Sequence, residues 1–214
     1  PHTSWKADPA MLALALADAR DRARRLAQDG RPFLLGIVGP PGAGKSTLAE
    51  ALGEPAFPMD GFHYANEHLD RLGLRDRKGA PATFDVDGFA AQLGRLRAGR
   101  DVVAPRFDRE IDAAVAGALP LSAADRLIVV EGNYLLHDAD GWERIRPLLD
   151  EVWYIDVPED LRLRRLVARH ESFGRTHDDA VRWASDVDGP NAVLIRATRH
   201  RADAIITLTE GEDA

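Results

Sequence analysis

The sequence predicts a three-layer α/β fold: a parallel central sheet, helices on both faces and a helical lid. Three observations predict it. Short apolar runs of β character alternate with helical patterns along all 214 residues. A glycine-rich turn, Gly39-Pro40-Pro41-Gly42-Ala43-Gly44-Lys45-Ser46, joins the first strong run to the first strong helix. A third run, Leu127-Ile-Val-Val-Glu131, is apolar until it ends in a carboxylate. The length suits one domain spanning 1–214, and no stretch reads as an interdomain linker.

Taken in order, an amphipathic helix is expected over about 9–28, ended by Gly30 and Pro32. The apolar run inside it, Ala10 to Ala17, is far short of the ~20 residues that span a membrane. It imitates a signal-peptide core. The segment before it carries Lys6 with Asp8 in place of a basic cluster, so a cytoplasmic protein is expected. Strands follow at 33–38, 127–131, 152–157 and 204–208, with a weaker one at 56–59. Helices are expected near 45–52, 86–98, 142–149, 159–170, 176–186 and 191–199, with a lid over about 159–186. The stretches 66–82 and 104–120 break the alternation and read as excursions over a site.

Composition narrows the chemistry. Hydrophobic residues make up 45% and charged residues 29%, an ordinary globular balance. There is no cysteine, which excludes disulfides, thiolate metal sites and cysteine nucleophiles. With 28 basic against 35 acidic residues the formal net charge is −7, which argues against a general role in coating nucleic acid. An anionic ligand therefore needs a local cluster of cations. The expected partner is a small molecule bearing a hydroxyl, not nucleic acid or membrane, bound by a monomer or homodimer.

The spacing Gly39, four residues, then Gly44-Lys45-Ser46 is that of a phosphate-binding loop. Glycines let successive backbone N–H groups point into one concavity, and the following helix adds its positive end. Residues 39–47, through Thr47, are read as the nucleotide cradle. Lys45 would bridge the outer phosphates, and Ser46 would ligate Mg²⁺. A carboxylate at the end of a later strand orients the metal or its water in such sites, which singles out Glu131. The lysines follow Trp5, Gly44 and Arg77, so the Asn/Thr-Lys-x-Asp motif that reads guanine cannot exist. Adenine is the expected base and ATP with Mg²⁺ the expected cofactor pair.

Two classes compete: a small-molecule kinase, and a nucleotide hydrolase or regulatory ATPase without a metabolite acceptor. A kinase needs a base for the acceptor hydroxyl and cations around the transferring phosphate. Met59-Asp60-Gly61-Phe62-His63 follows a short strand, so Asp60 would project beside the loop. On the helix over 159–170, Arg162, Arg165 and Arg169 share a stripe at three- and four-residue spacing. In a closing lid, Arg165 and Arg169 would neutralise developing charge.

The order of Gly-Pro-Pro-Gly-Ala-Gly-Lys-Ser, Met-Asp-Gly-Phe-His, Arg-Lys-Gly-Ala-Pro-x-Thr-Phe-Asp-Val-Asp, Ala-Pro-x-Phe-Asp and Val-Val-Glu-Gly-Asn-Tyr resembles the phosphoribulokinase/uridine kinase/pantothenate kinase family. It looks closest to small bacterial members described as nucleoside kinase-like or fructose-transport-associated kinases. The resemblance covers about residues 33–208. It implies the P-loop NTPase fold, transfer of the terminal phosphate of ATP to a hydroxyl, and Asp60 as catalytic base. It further implies that Arg77 and Lys78 lie near substrate and that Asp85 hydrogen-bonds substrate hydroxyls; His63 and Arg106 are further substrate-binding candidates. Asn191 either faces the nucleotide or caps a helix. One segment departs from the pattern. Where pyrimidine nucleoside kinases read the base, this chain has Phe107-Asp108-Arg109-Glu110-Ile111-Asp112. Arg106 and Arg109 suit an acidic substrate or pair with Asp108, Glu110 and Asp112, with the pairing favoured. A polyhydroxylated or acidic acceptor is expected to outcompete uridine and cytidine.

Overall fold

The computed structural model describes residues 12–14, 16–27 and 31–207. Six strands form one parallel sheet: β1 (Leu12–Leu14), β2 (Phe33–Val38), β3 (Ala56–Pro58), β6 (Leu127–Gly132), β7 (Glu151–Asp156) and β8 (Ala204–Thr207). Their spatial order is β1-β8-β7-β2-β6-β3. A separate antiparallel pair, β4 (Val102–Asp108) and β5 (Ala113–Leu121), stands beside it. The helices are α1 (Leu16–Leu26), α2 (Lys45–Leu52), α3 (Asn66–Leu72), α4 (Val86–Arg97), α5 (Glu159–Ser172), α6 (His177–Asp186) and α7 (Asp188–Ala197).

The continuous apolar runs follow from burial on both faces. In β2, Leu34 and Val38 face one core while Leu35 and Ile37 face the other. β6 divides in the same way, Ile128 and Val130 against Leu127 and Val129, and β7 sets Tyr154 against Trp153. One core is closed by Phe89, Leu93 and Leu96 of α4 and Ile195 of α7. The other is closed by Ala19 and Ala23 of α1 and Leu48 and Ala49 of α2. This is the predicted three-layer arrangement.

Four segments differ from expectation. The expected N-terminal helix begins only at Leu16, because Leu12–Leu14 pairs as a strand with β8. The parts of that expectation at 9–11, 15 and 28 lie outside the described residues. The expected helix over 142–149 is two 3-10 turns, Trp142–Arg144 and Arg146–Leu148. Pro147 lacks the N–H that a continuous helix would need there. The excursion over 104–120 is mostly a regular hairpin, whose signal is blurred by Pro105, Gly117 and Pro120 and by a register shift between Ala104 and Arg106. The excursion over 66–82 contains α3 and two short 3-10 turns.

Candidate active site

The parallel register brings the motifs to one end of the sheet. Ile37 and Pro58 both stand opposite Glu131, so the phosphate loop after β2 and the turn after β3 flank the carboxylate at the tip of β6. Ligands of open α/β sheets bind in the crevice beyond such strand ends. Gly42 and Gly44 adopt φ of +84° and +92°, which lets the loop curl around the N-terminus of α2. A Cβ on Gly42 would also lie 2.8 Å from the carbonyl oxygen of Arg162.

Lys45 reaches back over this curl, and its Nζ donates to the carbonyls of Gly39 (2.9 Å) and Pro40 (3.3 Å). Burial pulls the ammonium down to about 8, with Arg169 and Arg109 adding to the effect against Glu131 and Asp60. Ser46 donates its hydroxyl to Glu131, 2.9 Å from Oε2 and 3.1 Å from Oε1. Burial, reinforced by Asp60, raises the Glu131 carboxyl above its ordinary value. Thr47 is exposed on the first turn of α2, and Ala43 is packed into the core.

Asp60 sits on a 3-10 turn, Met59–Phe62, directly after β3. Gly61 allows this turn to press on the hairpin, since a Cβ there would come within 2.2 Å of the Pro105 carbonyl oxygen. Burial would raise the Asp60 carboxyl, but His63, Arg109, Lys45 and Arg169 together hold it below its ordinary value. His63 packs over Phe84 and Phe107, and one ring nitrogen lies 2.8 Å from the Asp60 carbonyl oxygen. Burial lowers the His63 imidazole, which favours its neutral form.

Two cavities meet at Asp60. The first, of about 140 Å³, is lined by Pro41, Lys45, Ser46, Glu131, Arg169 and Asn191 among others. The second, of about 410 Å³, opens beneath the hairpin and the α5–α6 turn and includes Lys78, Phe107, Arg175 and Trp183. Asp60, His63 and Arg109 line both.

Several expected site residues lie elsewhere. Asp85 is exposed and caps α4, accepting from the Gly88 N–H at 2.9 Å, and it lines neither cavity. Arg77 and Arg106 are exposed and also line neither. Arg165 is half-buried on α5, outside both walls. Asn191 belongs to the second turn of α7 and so does not cap it; its Nδ2 donates to the Gly79 carbonyl at 3.4 Å. Arg109 does not follow the favoured pairing with Asp108, Glu110 and Asp112. It reaches Asp60 at 3.2 Å, while Asp112 is taken by Lys78 at 2.9 Å. Arg162, on the same stripe as Arg165 and Arg169, is buried, and its guanidinium donates to the Pro41 carbonyl (2.9 Å) and to Glu159 (2.8 and 2.7 Å). Trp183 and Arg175 gave no sequence signal of their own, because they meet the site only through the fold.

The oxygen chemistry fits the expected cofactors. Mg²⁺ takes oxygen ligands, commonly one or two from protein with the rest from phosphate and water. The hydroxyl of Ser46 beside the carboxylate of Glu131 offers such a pair. Among the described residues no cluster of three or more His, Asp or Glu could hold a metal by itself, which this mode does not require.

Fold and loop together define a P-loop NTPase-type α/β protein, with its phosphate loop between β2 and α2. The model of the phosphoribulokinase / uridine kinase family matches residues 34–213, and the chain belongs to that family. It is 36% identical over 185 residues to the uncharacterized protein YggC of Escherichia coli K12, covering 81% of this chain and 77% of that one. It is 30% identical over 188 residues to a uridine kinase of Brevibacillus brevis, covering 83% and 85%. Among solved structures, a "putative fructose transport system kinase" from Silicibacter sp. TM1040 superposes with a TM-score of 0.80 at 39% identity, covering 92% of this chain and all of the other. Among the described residues no helix is long and apolar enough to cross a membrane.

Proposed function

We propose that this protein is an ATP-dependent kinase that transfers the terminal phosphate of ATP to a hydroxyl of a small metabolite. The observation that carries this reading is the position of Asp60 on the wall shared by two cavities, one at the phosphate loop and one leading away from it. A hydrolase needs only the first. In this reading the acceptor hydroxyl enters from the second cavity and hydrogen-bonds Asp60. The depressed carboxyl of Asp60 is ionised at neutral pH and accepts the hydroxyl proton as the oxygen attacks.

Lys45 and Arg169, both on the wall of the first cavity, supply positive charge to the phosphoryl oxygens. Ser46 and Glu131 would hold Mg²⁺, which screens the phosphate charge when bound. Asn191 and Asp188 close the wall formed by α7. The test is ADP release at fixed ATP–Mg²⁺ with and without candidate alcohols. Acceptor-dependent turnover is expected, and Asp60→Asn should lower kcat by ~10²–10⁴-fold with little change in ATP binding by titration. Turnover unaffected by every alcohol would return the protein to the hydrolase class.

A further inference from the structure

The second cavity is cationic and its aromatic rings are capped. Arg75, Lys78, Arg109 and Arg175 line it against two carboxylates, Asp60 and Asp112, in a chain whose formal net charge is −7. The three cation-over-ring contacts among the described residues all fall here. Lys78 Nζ lies 4.9 Å from the Phe107 centroid, the Arg109 guanidinium 5.8 Å from Phe173, and the Arg175 guanidinium 4.1 Å from Trp183. Each Phe and Trp ring that lines the cavity already has a cation over one face, which leaves less ring surface for a nucleobase. The rings instead hold long, flexible basic side chains at the cavity wall.

The cations differ in their commitments. Arg75 pairs with Asp70 at 3.3 Å, and Lys78 is held by Asp112 and by Asn66 Oδ1 at 2.7 Å. Arg109 pairs with Asp60 at 3.2 Å. Arg175, on the turn between α5 and α6, has the Trp183 ring and no carboxylate within 4.0 Å among the described residues. Its guanidinium donors are available to a planar, bidentate anion.

We propose that the phosphate acceptor already carries an anionic group, a carboxylate or a phosphate ester, and that Arg175 with Arg109 and Lys78 binds it in the cavity beneath the α5–α6 turn. The proposal rests on the kinase reading and names the substrate class of that same site. It also gives Arg109 two partners. An incoming anion competes with Asp60 for this guanidinium, so the group that marks the correct acceptor also releases the base from its ion pair. A neutral nucleoside offers no such exchange.

The test uses acceptor pairs that differ only in the anion: glycerate and glycerol, ribose 5-phosphate and ribose, pantothenate and its alcohol, with uridine as a neutral reference. Transfer is measured as kcat/KM at fixed ATP–Mg²⁺. Binding of each compound is titrated separately against protein saturated with a non-hydrolysable ATP analogue, which fills the phosphate loop. In at least one pair the anionic member should bind and react at least about 10- to 100-fold better than the neutral one, the range of one charge-assisted hydrogen bond. Arg175→Met should shrink that ratio by a similar factor, and Arg175→Lys should restore part of it. Equal binding within every pair, or preference for the neutral members or uridine, overturns the anion assignment whatever the transfer assay reads. Clear anion binding without transfer would instead sustain the assignment and defeat the kinase reading.

Discussion

At the residue scale the site depends on how two half-buried charges are balanced. Lys45 is the more exposed to pH, because burial brings its ammonium down to about 8. The protonated form holds the phosphates, and bound phosphate favours that form. The protein without nucleotide therefore loses its cation first as pH rises. ATP affinity should fall by about fivefold between pH 8 and pH 9 in a calorimetric titration. Lys45→Arg, which stays charged, should flatten this dependence even if its absolute affinity is lower. Lys45→Ala should abolish the dependence and lower kcat by ~10²–10³-fold, the usual loss when one stabilising donor is removed from a transition state. A Lys45→Ala enzyme with normal turnover would refute the nucleotide site. Asp60 titrates the other way: its carboxyl is held below the ordinary value, so it should set no limit near neutral pH.

At the element scale the turn carrying Asp60 and the hairpin above it form one unit. The Gly61 Cα faces the Pro105 carbonyl with no room for a methyl group. Gly61→Ala must push the turn or the hairpin aside, at a cost of about 1–3 kcal/mol in a urea melt, and should lower kcat by displacing Asp60. A variant with wild-type stability and turnover would show that the two elements are not coupled. This unit also marks the limit of what sequence reveals. The strands at 33–38, 127–131 and 152–157 were legible because burial on both faces makes them continuously apolar. The loop, Asp60 and Glu131 were legible because a local motif fixes each one. The hairpin strand 113–121 was not, since most of its residues are exposed or half-exposed and carry no buried alternation. Arg109 was misplaced for a related reason. Neighbours in sequence suggested its partners, but it pairs with a residue 49 positions away.

At the scale of the whole molecule the net negative charge and the cations that line the two cavities have different tasks. The net charge of −7 favours solubility and discourages diffuse binding of anions. The cations concentrated at the end of the sheet confine anion binding to one place. Because that place joins β2, β3, β6, α2, α5 and α7, ligand binding should stabilise the folded chain as one body. At ATP–Mg²⁺ concentrations a hundredfold above Kd, the linkage is about 2.7 kcal/mol. The melting midpoint followed by circular dichroism should then rise by about 5–10 °C. A midpoint insensitive to ATP–Mg²⁺ would contradict nucleotide binding in the native fold.

The bond from Arg162 to the Pro41 carbonyl spans 121 positions of chain. The phosphate loop lies in the first quarter of the sequence, yet its outer rim is closed by a helix that leaves the ribosome much later. β2 likewise has to wait for both of its neighbours, β6 and β7. During synthesis the loop is therefore only a flexible glycine segment beside an unpaired apolar strand, and it becomes a ligand site late, when α5 docks. The emerging chain should therefore acquire ATP binding only once α5 has docked, and β2 stays without its sheet neighbours until β6 and β7 have followed it.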